Sequence, residues 1–236
     1  MKVTVLSPEM RAGLFEKAVR PGEARQLWAD LPEDTELVKT MMAYKRLTYH
    51  HLSYLYGFVR YIARRFRGTP LKIVETGVQE GGSSAFILQA LEDEANPGHL
   101  WSIDLPNAKY VSPLTAGEID ETLPEWSETG ILVPQRLRSR WTLVLGDTRE
   151  KLRGVLEEAG PTVHLFHHDS EHTLEMTNLE FDLAWPRVPD GGILAADDAL
   201  WTTALSRFAK AKEETVWYVQ NVRYPGVGGF IERGAK

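Results

Sequence analysis

Gly191-Gly192-Ile193-Leu194-Ala195-Ala196-Asp197-Asp198 places two adjacent carboxylates at the end of an apolar run, and Val163-His164-Leu165-Phe166-His167-His168-Asp169 repeats the arrangement upstream with one acid. As neighbouring strands of an open parallel sheet, both runs would deliver their acids to the carboxyl ends, where ligands bind in such sheets. Three carboxylates aimed at one crevice repel one another unless something positive sits among them. A divalent cation with oxygen ligands meets that need. The chain has no cysteine, so thiolate nucleophiles, iron–sulfur clusters and thiolate zinc sites are excluded, and any metal must be held by oxygen or imidazole.

A second group of residues lies further upstream. Glu75-Thr76-Gly77-Val78-Gln79-Glu80-Gly81-Gly82-Ser83-Ser84 follows an apolar run and opens a helical pattern. Glycines in such a turn allow close approach of a ligand to the backbone. The spacing is not the dinucleotide fingerprint, and Glu75 would repel a pyrophosphate, so a cationic ligand fits better. Asp104, 22 residues beyond Gly82, holds the position at which Rossmann-like folds bind ribose hydroxyls. Gly146-Asp147 ends a further strand, where Asp147 either receives an adenine amino group or caps the next helix.

Elements that position these groups are legible in the periodicity. Helical spacing runs from about Thr35 to Arg67, ending in the basic stretch Arg64-Arg65-Phe66-Arg67, which suits a solvated helix end. Gly68-Thr69-Pro70 breaks it. From there strands are expected at 71–77, 99–104, 141–145, 163–168 and 192–196, alternating with helices near 83–94, 148–159, 173–186 and 199–212. That alternation predicts a parallel sheet covered on both faces. Residues 215–220 and 229–232, joined through Pro225-Gly226-Val227-Gly228, read as a closing antiparallel hairpin. The fold class is therefore α/β: a Rossmann-like, doubly wound, mostly parallel sheet with a C-terminal antiparallel hairpin and an N-terminal helical cap. Residues 1–69 form the cap and 70–236 the main domain. Residues 105–140, with four prolines, read as a lid or a surface excursion.

The composition limits the function classes. Of 236 residues, 43% are hydrophobic and 25% charged, with a formal net charge of -6; this balance argues against a nucleic-acid partner. No apolar stretch approaches the roughly 20 residues needed to cross a bilayer. With no secretory signal pattern at Met1 to Glu9, a cytoplasmic location is expected, with no membrane partner.

In combination, the motifs resemble class I S-adenosylmethionine-dependent methyltransferases, in particular metal-dependent small-molecule and sugar O-methyltransferases, over roughly residues 70–234. The resemblance implies that Glu75, Gly77, Gly81, Gly82, Ser83 and Ser84 hold the methionine part of S-adenosyl-L-methionine, that Asp104 binds its ribose and that Gly146 and Asp147 lie on the adenine side. It implies that Asp169, Asp197 and Asp198 hold Mg2+ or another divalent cation, with Asp169 also beside the cofactor. The substrate would be a hydroxyl of a small molecule, a sugar or natural-product phenol. His172 is the favoured base and Glu171 the second, both near the start of a helix just past Asp169.

Alternatives accompany these assignments. Ser170 or Glu171 could cap the helix that follows them and Asp198 the next one; with Asp197 and Asp198 both as caps, the reading becomes a metal-independent methyltransferase. A non-catalytic S-adenosylmethionine-binding protein is a further reading, and a nicotinamide oxidoreductase is disfavoured by the missing fingerprint. His164 and His167 read as packed or surface strand residues, and alternation turns His168 away from Asp169. Tyr44, His50, His51, Tyr54 and Tyr56 read as core or interface residues, with an acceptor pocket as the second reading. Trp201 reaches either substrate or core. The aromatic N-terminal helices fit a homodimer or a cap over the same subunit's crevice.

Overall fold

The computed structural model describes residues 4–5, 53–106, 109–111, 119–122, 129–130, 133–220 and 227–234. In chain order these form β1 (Thr4–Val5), α1 (Ser53–Arg65), β2 (Lys72–Thr76), α2 (Gly82–Asp93), β3 (His99–Asp104), β4 (Lys109–Val111), β5 (Ile119–Thr122), β6 (Trp141–Leu145), α3 (Thr148–Ala159), β7 (Leu165–His168), α4 (Leu174–Ala184), β8 (Ile193–Ala196), α5 (Ala204–Ala211), β9 (Val216–Gln220) and β10 (Val227–Glu232). Eight of the strands make one sheet in the order β1-β9-β10-β8-β7-β2-β3-β6. β10 runs antiparallel to β8 and β9, and every other pairing is parallel.

Alternation along the strands divides the core. Ile73, Leu165, Ile193 and Ala195 pack on one face with Leu55, Phe58 and Ile62 of α1 and with Phe86, Ile87 and Leu91 of α2. Val74, Phe166, Leu194 and Ala196 pack on the other with Leu152 and Leu156 of α3, Phe181 of α4 and Phe208 of α5. Strands apolar on both faces are what a sheet covered on both sides requires. The chain winds from β2 outward through β3 to the edge strand β6 and then crosses back to β7 on the other side of β2. That reversal opens a crevice beyond the carboxyl ends of β2 and β7, because the connections leaving them depart in opposite directions.

Differences from the sequence expectation fall at the ends and in the long insertion. The N-terminal segment, expected to hold no strand, contributes β1, which pairs Thr4 with Trp217 and Val5 with Tyr218. Two residues are too few to show a period. Of the expected helical pattern, α1 starts at Ser53, and positions 35–52 lie outside the described residues, as do Tyr44, His50 and His51. Its basic end is partly paired: Arg64 reaches Glu94 at 2.9 Å and Arg65 lies 3.9 Å from Glu232. Within 105–140, β4 and β5 pair as a small antiparallel sheet, while positions 107–108, 112–118, 123–128 and 131–132 of the expected lid lie outside the described residues. Among the described residues no helix is long and apolar enough to cross a membrane.

Phe181 is fully buried and meets Phe208 at 5.3 Å and His168 at 5.8 Å between ring centroids. Phe181→Ala should cost about 3–5 kcal/mol, read as a lower urea midpoint with an unchanged slope.

Candidate active site

β2 ends at Thr76, and Gly77 follows at φ +82°. A Cβ on Gly77 would lie 1.9 Å from the carbonyl oxygen of Asp169, so both conformation and space demand glycine there. The loop is held from both sides. Gly77 N–H donates to the Ile103 carbonyl at 2.9 Å, and Asp169 N–H donates to Thr76 at 2.8 Å. Asp104 then latches it: one carboxylate oxygen accepts from the N–H groups of Val78 and Gln79 at 2.9 and 2.6 Å, and the other from Leu105 at 2.7 Å. The acid expected to meet a ribose thus also fixes the glycine loop beside it.

The other members of the expected cofactor set divide between the crevice and the interior. Gly81, at φ +92°, precedes α2, whose first residues Gly82, Ser83 and Ser84 are buried. Glu75 is fully buried and does not face the loop surface; one of its oxygens accepts from Ser84 Oγ at 2.5 Å and Ser102 Oγ at 2.8 Å. Glu75 and Ser84 therefore bind each other beneath the turn. Gly146 N–H donates to Asp104, and Asp147 caps α3 by accepting from Arg149 N–H at 2.8 Å. Of its two sequence readings, the cap is the one its side chain adopts.

Register brings the acids together. Thr76 pairs with His168 and His168 with Ala196 across three adjacent parallel strands, so the next residues, Gly77, Asp169 and Asp197, stand side by side at strand spacing. Burial is the largest cause lifting the Asp169 carboxyl well above the usual carboxylate range, followed by the charges of Asp197 and Asp198, then those of Glu75 and Asp104. Asp198 sits at φ +42°, the left-handed conformation that Asp tolerates better than most residues. It does not cap α5, which begins after Thr203.

His172 lies between the acids. Its Nε2 is 3.7 Å from Asp169 Oδ1 and 3.9 Å from Asp198 Oδ2. Burial, then the neighbouring His168, lower its pKa to about 4, so the ring is neutral at pH 7. Trp201, 60% exposed, sets its ring edge-on to His172 at 5.2 Å. Glu171 turns elsewhere: it pairs with Arg149 at 2.7 Å and accepts from Thr173 Oγ1 at 3.0 Å. Thr173, not Ser170 or Glu171, caps α4. Of the two candidate bases, only His172 is drawn among the carboxylates.

Three hard oxygen donors at one crevice, with Asp169 resisting ionisation beside its neighbours, suit a divalent cation. As the side chains stand, no group of three or more His or acidic residues among those described is gathered closely enough to grip an ion.

Two polar groupings lie below the crevice; they bring in Glu180, which sequence reasoning missed, and give Tyr54 and His168 their partners. On one face Glu180, fully buried, accepts from Thr76 Oγ1 and Ser170 Oγ and pairs with His168 Nδ1, each at 2.6 Å. His168 turns away from Asp169, as alternation predicts, and steadies the segment leading to His172. The signal for Glu180 was available: it falls on the buried stripe of α4 with Thr177, Phe181 and Ala184. On the other face Tyr54 of α1, 6% exposed, donates to Asp197 Oδ1 at 3.3 Å and lies 3.2 Å from His167 Nε2. Burial first, and Asp197 second, hold its hydroxyl protonated. His164 is a packed strand residue, accepting from Lys72 N–H and meeting the ring of Phe66.

Comparison with known proteins gives a consistent assignment. Residues 74–199, more than half of the chain, match the family described as "Methyltransferase domain". Among solved structures, CalS11, a calicheamicin methyltransferase, is 17% identical with a TM-score of 0.55, over 97% of this chain and 94% of that one. The O-methyltransferase NovP is 16% identical with a TM-score of 0.56, over 77% and 78%. An O-methyltransferase from Bacillus cereus in complex with SAH is 14% identical with a TM-score of 0.54, over 92% and 99%. At these identities the likeness is one of fold. No curated protein matches the sequence.

A carboxyl whose folded pKa is raised costs nothing while protonated in both states, and its penalty grows as pH rises from the unfolded value through the folded one. Asp169→Asn should therefore raise Tm at pH 7, by about 2–4 °C for each kcal/mol of repulsion relieved, and leave it unchanged near pH 3.5. Scanning calorimetry at the two pH values checks this.

Proposed function

The chain belongs to the methyltransferase-domain family, and from that premise we propose that it is an S-adenosylmethionine-dependent O-methyltransferase, assisted by a divalent cation, that methylates a hydroxyl of a small molecule of the sugar or natural-product type. The observation that carries the reading is the alignment of Gly77, Asp169 and Asp197 at the ends of adjacent strands, which sets the close-packed glycine loop beside the paired acids. The likeness in fold to CalS11, NovP and the Bacillus cereus protein, a calicheamicin methyltransferase and two O-methyltransferases, supports the small-molecule class.

Bound S-adenosylmethionine supplies an activated methyl group, and a bound divalent cation supplies the field that makes a hydroxyl more acidic. The rest falls to the protein. The loop from Gly77 to Gly82 leaves room for close approach at the end of β2, and Asp104 beside it offers a carboxylate to ribose hydroxyls. Asp169, Asp197 and Asp198 are the residues that would hold the cation. His172, neutral at pH 7 with a pKa of about 4, is a weak base, so it accepts a proton well only from a hydroxyl already acidified. Trp201 offers an exposed ring beside His172 for the acceptor. Alignment of nucleophile and methyl carbon by these walls accounts for most of the rate, because the donor needs no further activation.

Calorimetry should show S-adenosylhomocysteine binding at micromolar Kd with no comparable binding of NAD. Methyl transfer, followed with a panel of sugar and phenolic acceptors, should be lost on chelation and restored by Mg2+; transfer unaffected by chelation would select the metal-independent reading. Asp197→Asn should lower the rate on the order of 100-fold while S-adenosylhomocysteine affinity stays within about twofold.

A further inference from the structure

On the α1 face of the sheet, a line of polar side chains runs through an otherwise apolar core. Trp141 Nε1 donates to Ser102 Oγ at 2.9 Å, Ser102 donates to Glu75, His167 follows on the next strand, and Tyr54 bridges from His167 to Asp197 at the crevice. Glu75 and His167 are both fully buried. Among the described residues Glu75 Oε1 and His167 Nδ1 have no hydrogen-bond partner, and they stop 3.8 Å apart. That spacing is too long for a hydrogen bond.

Proton counting decides which way the line runs. Tyr54 has one proton and two acceptors in reach, His167 Nε2 and the Asp197 carboxylate. A hydrogen bond to a charged acceptor is the stronger one, so the proton goes to Asp197. The Tyr54 oxygen is then an acceptor, and the His167 nitrogen beside it must carry the hydrogen. With the hydrogen on Nε2, Nδ1 presents a lone pair. A lone pair facing a carboxylate oxygen stays beyond bonding distance, whereas an N–H in that place would be pulled against the carboxylate. The 3.8 Å gap is the mark of the first arrangement. The second oxygen of Glu75, meanwhile, takes both serine hydroxyls.

We propose that Tyr54 is a positioning residue for Asp197, held in a one-way hydrogen-bond line in which His167 Nε2–H donates to the Tyr54 hydroxyl and Tyr54 donates to the Asp197 carboxylate. The line fixes one oxygen of Asp197, and with it the rotation of the carboxyl group. Packing keeps the phenol ring in place: it meets Phe58 edge-on at 5.3 Å, and a Cβ on Gly228 would lie 3.0 Å from the ring. The inference rests on the reading of Asp197 as a cation-holding acid, and it gives α1 a part in the chemistry beyond covering the sheet.

Nitrogen-15 NMR of the full chain with labelled histidine tests the direction of the line without any methyl acceptor. The His167 Nε2 signal should be of the protonated type and Nδ1 of the bare type. Glu75→Gln should keep that pattern, since its amide N–H can donate to Nδ1 while its carbonyl accepts from the serines. Tyr54→Phe, which keeps the ring, should shift the Nε2 signal and weaken Mn2+ binding about tenfold, with S-adenosylhomocysteine affinity unchanged within about twofold. A His167 protonated at Nδ1, or Mn2+ binding equal in wild type and Tyr54→Phe, would overturn the proposal. If the wild type binds S-adenosylhomocysteine but no Mn2+, the metal part of the proposed function fails, and the nitrogen signals alone decide the line.

Discussion

Like charges crowded at the end of a sheet dominate this molecule. Asp169, Asp197 and Asp198 stand together because β2, β7 and β8 are in register and end together, and burial and the neighbouring acids already make ionisation of Asp169 costly. A folded chain keeps such an arrangement only if the rest of the structure can bear its cost, and sites of this kind cluster where chemistry is done. The two-sided core bears it here. Apolar layers on both faces hold the strand ends in register, so the backbone keeps the acids neighbours.

The polar groups directly below the crevice share one logic. Strand alternation sends His168 to one face and His167 to the other, and each meets a buried acid: Glu180 on the α4 side, Glu75 on the α1 side. Glu180 gathers Thr76, Ser170 and His168 within 2.6 Å, tying the end of β2 to the segment that carries His172. Glu75 gathers Ser84 and Ser102, tying β2 to β3 and α2. A buried carboxylate with several donors rigidifies its surroundings more than apolar contacts can, because its geometry is directional. The glycine loop adds the last restraint, since Gly77 lets β2 and the end of β7 touch backbone to backbone.

Much of the site was legible in the chain because it depends on short-range pattern. An apolar run followed by an acid marks a strand end, and a glycine-rich turn after a strand marks a ligand loop; both features need only the neighbouring residues. Glu75 and Ser84 show where local pattern stops. Their spacing in the turn is right for a ligand loop, but alternation buries Glu75 on the inner face of β2, where Ser102 of another strand claims it. Glu171 and His172 are adjacent, and nothing local tells which of them faces the acids; Arg149 on α3 draws Glu171 away. Glu180 was readable as an acid on a buried stripe. Tyr54 was not, since its partners are 113 and 143 positions away.

The sequence by itself determined the alternating order of strands and helices, the antiparallel close and the positions of acids and glycines, since periodicity and turn chemistry act within a few residues. Tertiary structure alone decided which strands are neighbours, and so which acids share a crevice, which histidine faces them and which tyrosine reaches them. Side chains far apart in the chain meet through register and packing, and the register of a sheet is a property of the whole core.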